Sequence, residues 1–125
     1  MSVHGGPRSA QEVVAAFLRC GERRDFETAE SLLDEAMVRI GPDGDVKRGR
    51  DEYVAYLRSV LGDVTDYHYD VRRTTASADG RTVLVEIDEG LTEADGTALE
   101  VSEAMVFDLT DAGRIVRLSV YTKTS

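Results

Sequence analysis

The chain has 125 residues, enough for one domain core and no second one, and its 24 acidic against 15 basic residues give a formal charge of −9. Such a surface repels phosphate backbones and anionic lipid, and no basic stripe with interleaved aromatics offsets it, so neither nucleic acid nor a membrane is an expected partner. Cys20 is the single cysteine, which excludes an intramolecular disulfide and a cysteine zinc site.

Residues 1–8 are polar and Gly-rich and read as a flexible tail, with a single domain over 9–125. They lack the apolar run of a leader, and no stretch approaches the roughly 20 apolar residues that span a bilayer, so a soluble cytoplasmic protein is expected. Ser9-Ala10-Gln11-Glu12 has the S-x-x-E form of a capping box, and Val13, Val14, Phe17 and Leu18 follow at helical spacing. Asp25 is placed to cap a second, short helix with Phe26, Ala29, Leu32 and Leu33 on one face. The β-branched run from Ala36 to Ile40 reads as a strand, ended by the turn Pro42-Asp43-Gly44 and answered by a brief strand over Val46 to Arg48.

Asp51 and Glu52 suit the positive end of a third helix, whose apolar stripe is Tyr53, Val54, Leu57, Val60 and Leu61, with Gly62 as its stop. From Val64 onward the period changes to two. Segments Val64–Ala78, Arg81–Glu93, Thr97–Leu109 and Arg114–Thr122 are separated by Asp79-Gly80, Asp95-Gly96 and Asp111-Ala112-Gly113, each a hairpin signal. No proline follows Pro42, as a four-stranded meander requires. The fold class expected is α+β: a cone-shaped, strongly curved antiparallel sheet roofed by three helices around a pocket for a small hydrophobic molecule. The outer face of so extensive a sheet is expected to be buried in a homodimer.

Four local signals in this order, Leu32-Leu33-Asp34-Glu35-Ala36, Pro42-Asp43-Gly44, Gly49-Arg50-Asp51 and Asp111-Ala112-Gly113-Arg114-Ile115, resemble the ketosteroid-isomerase-like superfamily, which includes SnoaL-like cyclases and limonene epoxide hydrolase. The resemblance covers nearly all of residues 9–122 and implies that cone fold. Aligned with ketosteroid isomerase, the tyrosine donor falls on Phe17, the general base on Ile40 and the protonated aspartic acid on Met105. All three are apolar here, so that apparatus is missing. Aligned with limonene epoxide hydrolase, the water-positioning tyrosine and asparagine fall on Arg39 and Gly41, the Arg-x-Asp pair on Glu86 and Asp88, and the second aspartate on Val120. One carboxylate of that set survives.

Read without the family, Glu103 shares a strand face with Leu99, Val101, Met105 and Phe107. A carboxyl on an apolar face that lines a pocket is desolvated and its pKa raised, as a general acid or base near neutrality needs. The alternative puts Glu103 at the rim, or paired with a base such as Arg39. In the preceding strand Val83, Val85 and Ile87 share a face with Glu89, whereas Glu86 and Asp88 point the other way. One hairpin register sets Glu89 opposite Glu103; a register one residue different sets Asp88 there. Opposed carboxylates must share a proton or bind a cation, or else both are solvated at a pocket mouth.

Candidate catalytic residues are therefore Glu103, Asp88 and Glu89. Phe17, Ile40, Tyr53, Met105, Phe107 and Val120 are the candidate ligand-binding wall. Tyr53, Tyr56, Tyr67 and Tyr69 supply further hydroxyls, and His68 with Asp70 reads as an exposed polar stripe. Cys20 reads as a buried thiol. With His4 in the tail there is no metal motif, and with neither Gly-x-Gly-x-x-Gly nor a P-loop no cofactor is expected. Two functions follow: a cofactor-free acid/base enzyme on a small metabolite (cyclase, isomerase, dehydratase or hydrolase), or a non-catalytic binding or dimerisation module of the same fold.

Overall fold

Ser9 opens the first helix as the S-x-x-E spacing requires. Its Oγ accepts from the Glu12 N–H at 3.1 Å, and its own N–H donates to the Glu12 carboxylate at 2.9 Å. The computed structural model describes residues 9–123, so the tail expected over residues 1–8 lies outside the described residues. Helix α1 (Ala10–Arg23) runs past Gly21 and ends where Arg24 turns left-handed at φ 57°. Asp25 caps α2 (Phe26–Ser31) by accepting from the Thr28 N–H at 3.2 Å. Leu33 leaves that helix's apolar face to begin β1 (Leu33–Ile40), three residues before the sequence signal, where it pairs with Ile115. Strand β2 (Val46–Arg48) and helix α3 (Arg50–Gly62) follow, then β3 (His68–Ala76), β4 (Thr82–Thr92), β5 (Ala98–Leu109) and β6 (Ile115–Thr122).

The sheet order is β2-β1-β6-β5-β4-β3. The meander from β3 to β6 is antiparallel throughout, as its hairpin signals require, but β1 lies parallel to β6. The all-antiparallel, strongly curved cone expected from the sequence is therefore corrected to an open, mixed sheet that is not strongly curled. Closure needs strand edges that can meet, whereas here β2, only three residues long, and β3 remain as free edges. Period-two patterning fixes pairing between neighbours in sequence. It does not fix how the distant β1 docks, nor how far long strands coil.

Helix α1 lies over β3 and β4, α2 over β1, and α3 over β1 and β2, so all three cover one face. That face buries Val83, Val85 and Ile87 of β4, Phe107 of β5, and Ile115 and Leu118 of β6 against Val14 of α1 and Leu33 and Met37 of β1. Each such side chain contributes about 1.5–3 kcal/mol by leaving water. Among the described residues, no helix is long and apolar enough to cross a membrane.

The β4–β5 hairpin closes with the Glu93 N–H donating to the Thr97 carbonyl at 2.8 Å and the Gly96 N–H to the Glu93 carbonyl at 2.9 Å. Gly96, at φ 92°, ends a three-residue loop, Ala94-Asp95-Gly96. The register that results opposes Glu103 to Ile87, Asp88 to Ser102 and Glu89 to Val101. Neither register expected from the sequence forms: the pairing lies one residue from that opposing Asp88 to Glu103 and two from that opposing Glu89 to it.

Candidate active site

Between helices and sheet the chain leaves a cavity of about 200 Å³. Met105 of β5 and Val120 of β6 form its floor, and Phe17 and Leu18 of α1 with Tyr53 and Leu57 of α3 form its roof. Phe17 stacks on Tyr53 with ring centroids 6.3 Å apart and meets Phe107 edge-on at 6.0 Å. Phe107 is fully buried beneath the lining rather than part of it. Ile40 is also outside the cavity, its side chain turned to the other sheet face beside Val38 and Val46.

The cavity's polar groups are Arg39 of β1, Tyr67 just before β3, Glu89 of β4 and Glu103 of β5. Glu89 and Glu103 lie on the same sheet face in diagonal positions, since Glu89 opposes Val101, two residues from Glu103. Diagonal neighbours are about 7–8 Å apart at Cα, within reach of long side chains. The Tyr67 hydroxyl donates to Glu89 Oε2. Burial, then the hydrogen bond and negative charge of Glu89, push the Glu103 carboxyl up to about 9, against the pull of Arg39. Burial and the neighbouring Glu89 thus favour the uncharged form of the Glu103 carboxyl. Burial, Glu89 and Glu103 hold the Tyr67 hydroxyl well above the usual phenol range. Burial does the same for Tyr53, whose hydroxyl also feels Arg39, Glu89 and Glu103.

The structure does not bring Asp88 into this group. It points to the opposite sheet face, where it accepts from Arg72 Nη1 at 2.6 Å and Ser102 Oγ at 2.8 Å. Those two hydrogen bonds, Arg72 first, hold its carboxyl below the usual range. Of the nine candidates, Glu103, Glu89, Phe17, Tyr53, Met105 and Val120 meet at the cavity, and Asp88, Ile40 and Phe107 do not. Among the described residues, no three His, Cys, Asp or Glu side chains converge as metal ligands.

Tyr67, one of the four tyrosine hydroxyls, and Arg39, the base expected as an alternative partner of Glu103, join the site although neither was among the nine candidates. Arg39 carries the same signal as Glu103, a charge at period two from a core residue, here Met37. Its guanidinium lies over the Tyr56 ring, 4.9 Å from the centroid. Tyr67 shares the core-side parity of Tyr69, which opposes Glu89.

A search of curated proteins finds no match. Solved structures share the fold. An M. tuberculosis LEH-like epoxide hydrolase is 26% identical, with a TM-score of 0.80 over 91% of this chain and 82% of its own. SalBIII, described as an epoxide hydrolase/cyclase-like enzyme in pyran ring formation in the polyether salinomycin, is 22% identical, with a TM-score of 0.81 over 92% of this chain and 91% of its own. An NTF2-like protein of unknown function from Burkholderia pseudomallei is 20% identical, with a TM-score of 0.80 over 91% of this chain and 90% of its own. The family model described as SnoaL-like domain matches residues 14–118, and the chain belongs to that family.

Proposed function

We propose that the protein is a cofactor-free acid/base enzyme acting on a small hydrophobic molecule, a hydrolase, cyclase, isomerase or dehydratase. One observation carries the reading: in an apolar cavity, the Glu103 carboxyl, whose uncharged form burial favours, adjoins Glu89, which accepts from the Tyr67 hydroxyl. Two acids with one proton between them supply a donor and an acceptor at the same pH. Glu103 gives its proton to a substrate oxygen as a C–O bond breaks. Glu89 takes one from water, from a substrate hydroxyl or from carbon, and the proton count is restored by exchange with solvent. The LEH-like epoxide hydrolase, the more similar of the named relatives, favours ring opening of an epoxide by water or by an internal hydroxyl.

The cavity, at about 200 Å³, is larger than the about 150 Å³ that holds benzene and smaller than the about 300 Å³ at which drug-sized pockets begin. A substrate with one ring suits it. Incubation with monocyclic epoxides and hydroxy-epoxides, read by gas chromatography, is expected to give diols or cyclic ethers that Glu103→Gln no longer makes. Binding without turnover across the panel would favour the non-catalytic module instead.

The same reading takes residues 9–125 as one domain in a reducing cytoplasm, where the buried Cys20 stays a thiol. It also takes the chain as a homodimer through the outer sheet face, where Tyr121 is 60% exposed. Light scattering at micromolar concentration tests the dimer: a monomer mass would remove it.

A further inference from the structure

Among the described residues, Arg39 is the one cation lining the cavity. Its guanidinium makes no ion pair and no side-chain hydrogen bond within the described residues. It rests on the Tyr56 ring, which Lys47 also approaches, at 5.0 Å from the centroid. Lys47 is already taken by Asp45 at 3.1 Å, and Glu89 by the Tyr67 hydroxyl. Arg39 lines both the inner cavity and the shallow cleft outside it, which Pro42, Asp43, Asp45, Glu103 and Thr122 also line, Asp45 being paired with Lys47. A planar fork of donors thus stands where the apolar chamber opens, without a side-chain acceptor among the described residues.

Space at Arg39 is kept by Gly41. A Cβ there would come within 2.8 Å of Arg39 Nη1. The φ of Gly41 is not positive, so the backbone does not demand glycine at this position, and the side chain that benefits is Arg39.

We propose that Arg39 anchors an anionic end, a carboxylate, on a ligand whose apolar body fills the cavity. A carboxylate matches the guanidinium in two parallel hydrogen bonds, stronger in a partly desolvated mouth than in water. Glu103, as an uncharged acid, does not repel it and leaves its proton available to the ligand's reacting oxygen. The overall charge of −9 is screened beyond about 8 Å at physiological salt, so local donors decide the matter. The inference rests on the cavity being a ligand site, and names the class of molecule that site takes.

The test uses the full chain and matched pairs: benzoate with benzamide, and cyclohexanecarboxylate with its primary amide, by calorimetry at pH 7. Each acid is expected to bind at least ten-fold more tightly than its amide. Arg39→Met is expected to erase that preference while leaving amide binding in place, which shows that the pocket is still folded. Arg39→Lys keeps part of it, and Gly41→Ala, which displaces the guanidinium without removing its charge, weakens it several-fold. Equal binding of acid and amide by the unaltered protein, or a preference that survives Arg39→Met, overturns the proposal while the ligand site stands. If neither member of any pair binds at millimolar concentration, the ligand site itself fails and the proposal with it.

Discussion

Glu89 and Glu103 meet on the diagonal of the β4–β5 ladder, with Val101 opposite the first and Ile87 opposite the second. A direct opposition would press the two carboxyls together. The diagonal leaves their side chains within reach of each other, and the Tyr67 hydroxyl donates to Glu89.

Replacing Glu103 by glutamine keeps a hydrogen-bond donor toward Glu89 and removes the transferable proton. Turnover is expected to fall by about 10²–10⁴-fold. Because the folded protein holds Glu103 protonated up to about 9, above its ordinary 4.5, the folded state binds more protons than the unfolded one between those values. Stability therefore declines as pH rises through that window. The melting temperature of Glu103→Gln relative to the unaltered protein should climb from pH 5 to pH 9, and a pH-independent difference would refute the assignment.

Tyr67→Phe removes a hydroxyl that donates to a carboxylate. The cost is about 1–2 kcal/mol, in the range for a charged acceptor left short of one partner. Urea denaturation checks this loss.

Asp88 is the control. Its bond to Arg72 joins side chains that are 38% and 69% exposed, so Asp88→Asn should change stability little and leave turnover unchanged. A large loss of activity would return Asp88 to the chemistry.

Phe107 and Met105 separate core from wall. Phe107 has zero exposure, and Phe107→Ala should cost about 3–5 kcal/mol; Met105, bordering existing space, should cost nearer about 2 kcal/mol on truncation. Met105→Ala also enlarges the cavity and should shift the ligand series toward bulkier rings. Equal destabilisation would mean that both residues belong to the packed core.

The sequence carried the helices well, because Ser9, Asp25 and the acids at 51 and 52 act locally on the first turn they touch. The meander was legible for the same reason: alternation and a turn glycine are properties of neighbours. The parallel docking of strand β1 was not, although its strand character was, since its partners in β6 lie about eighty residues on and no local rule selects them. Glu103 was conspicuous as a charge on an apolar face, and Arg39 shows that the same reasoning applied to β1 would have found a second one. Its partner depended on one residue of turn length: Asp95-Gly96 reads as a two-residue turn, but Ala94 joins the loop and moves every pairing along β4. Parity survived that shift, which is why Glu89 stays on the cavity side and Asp88 does not.

The central claim is that Glu103 is an uncharged acid at neutral pH. Carbon-detected NMR titration of protein labelled at glutamate carboxyls, with Glu103→Gln to assign the resonance, reads this directly. The account predicts a midpoint near 9 for Glu103; a midpoint near 4.5, with the carboxyl already ionised at pH 6, would contradict it.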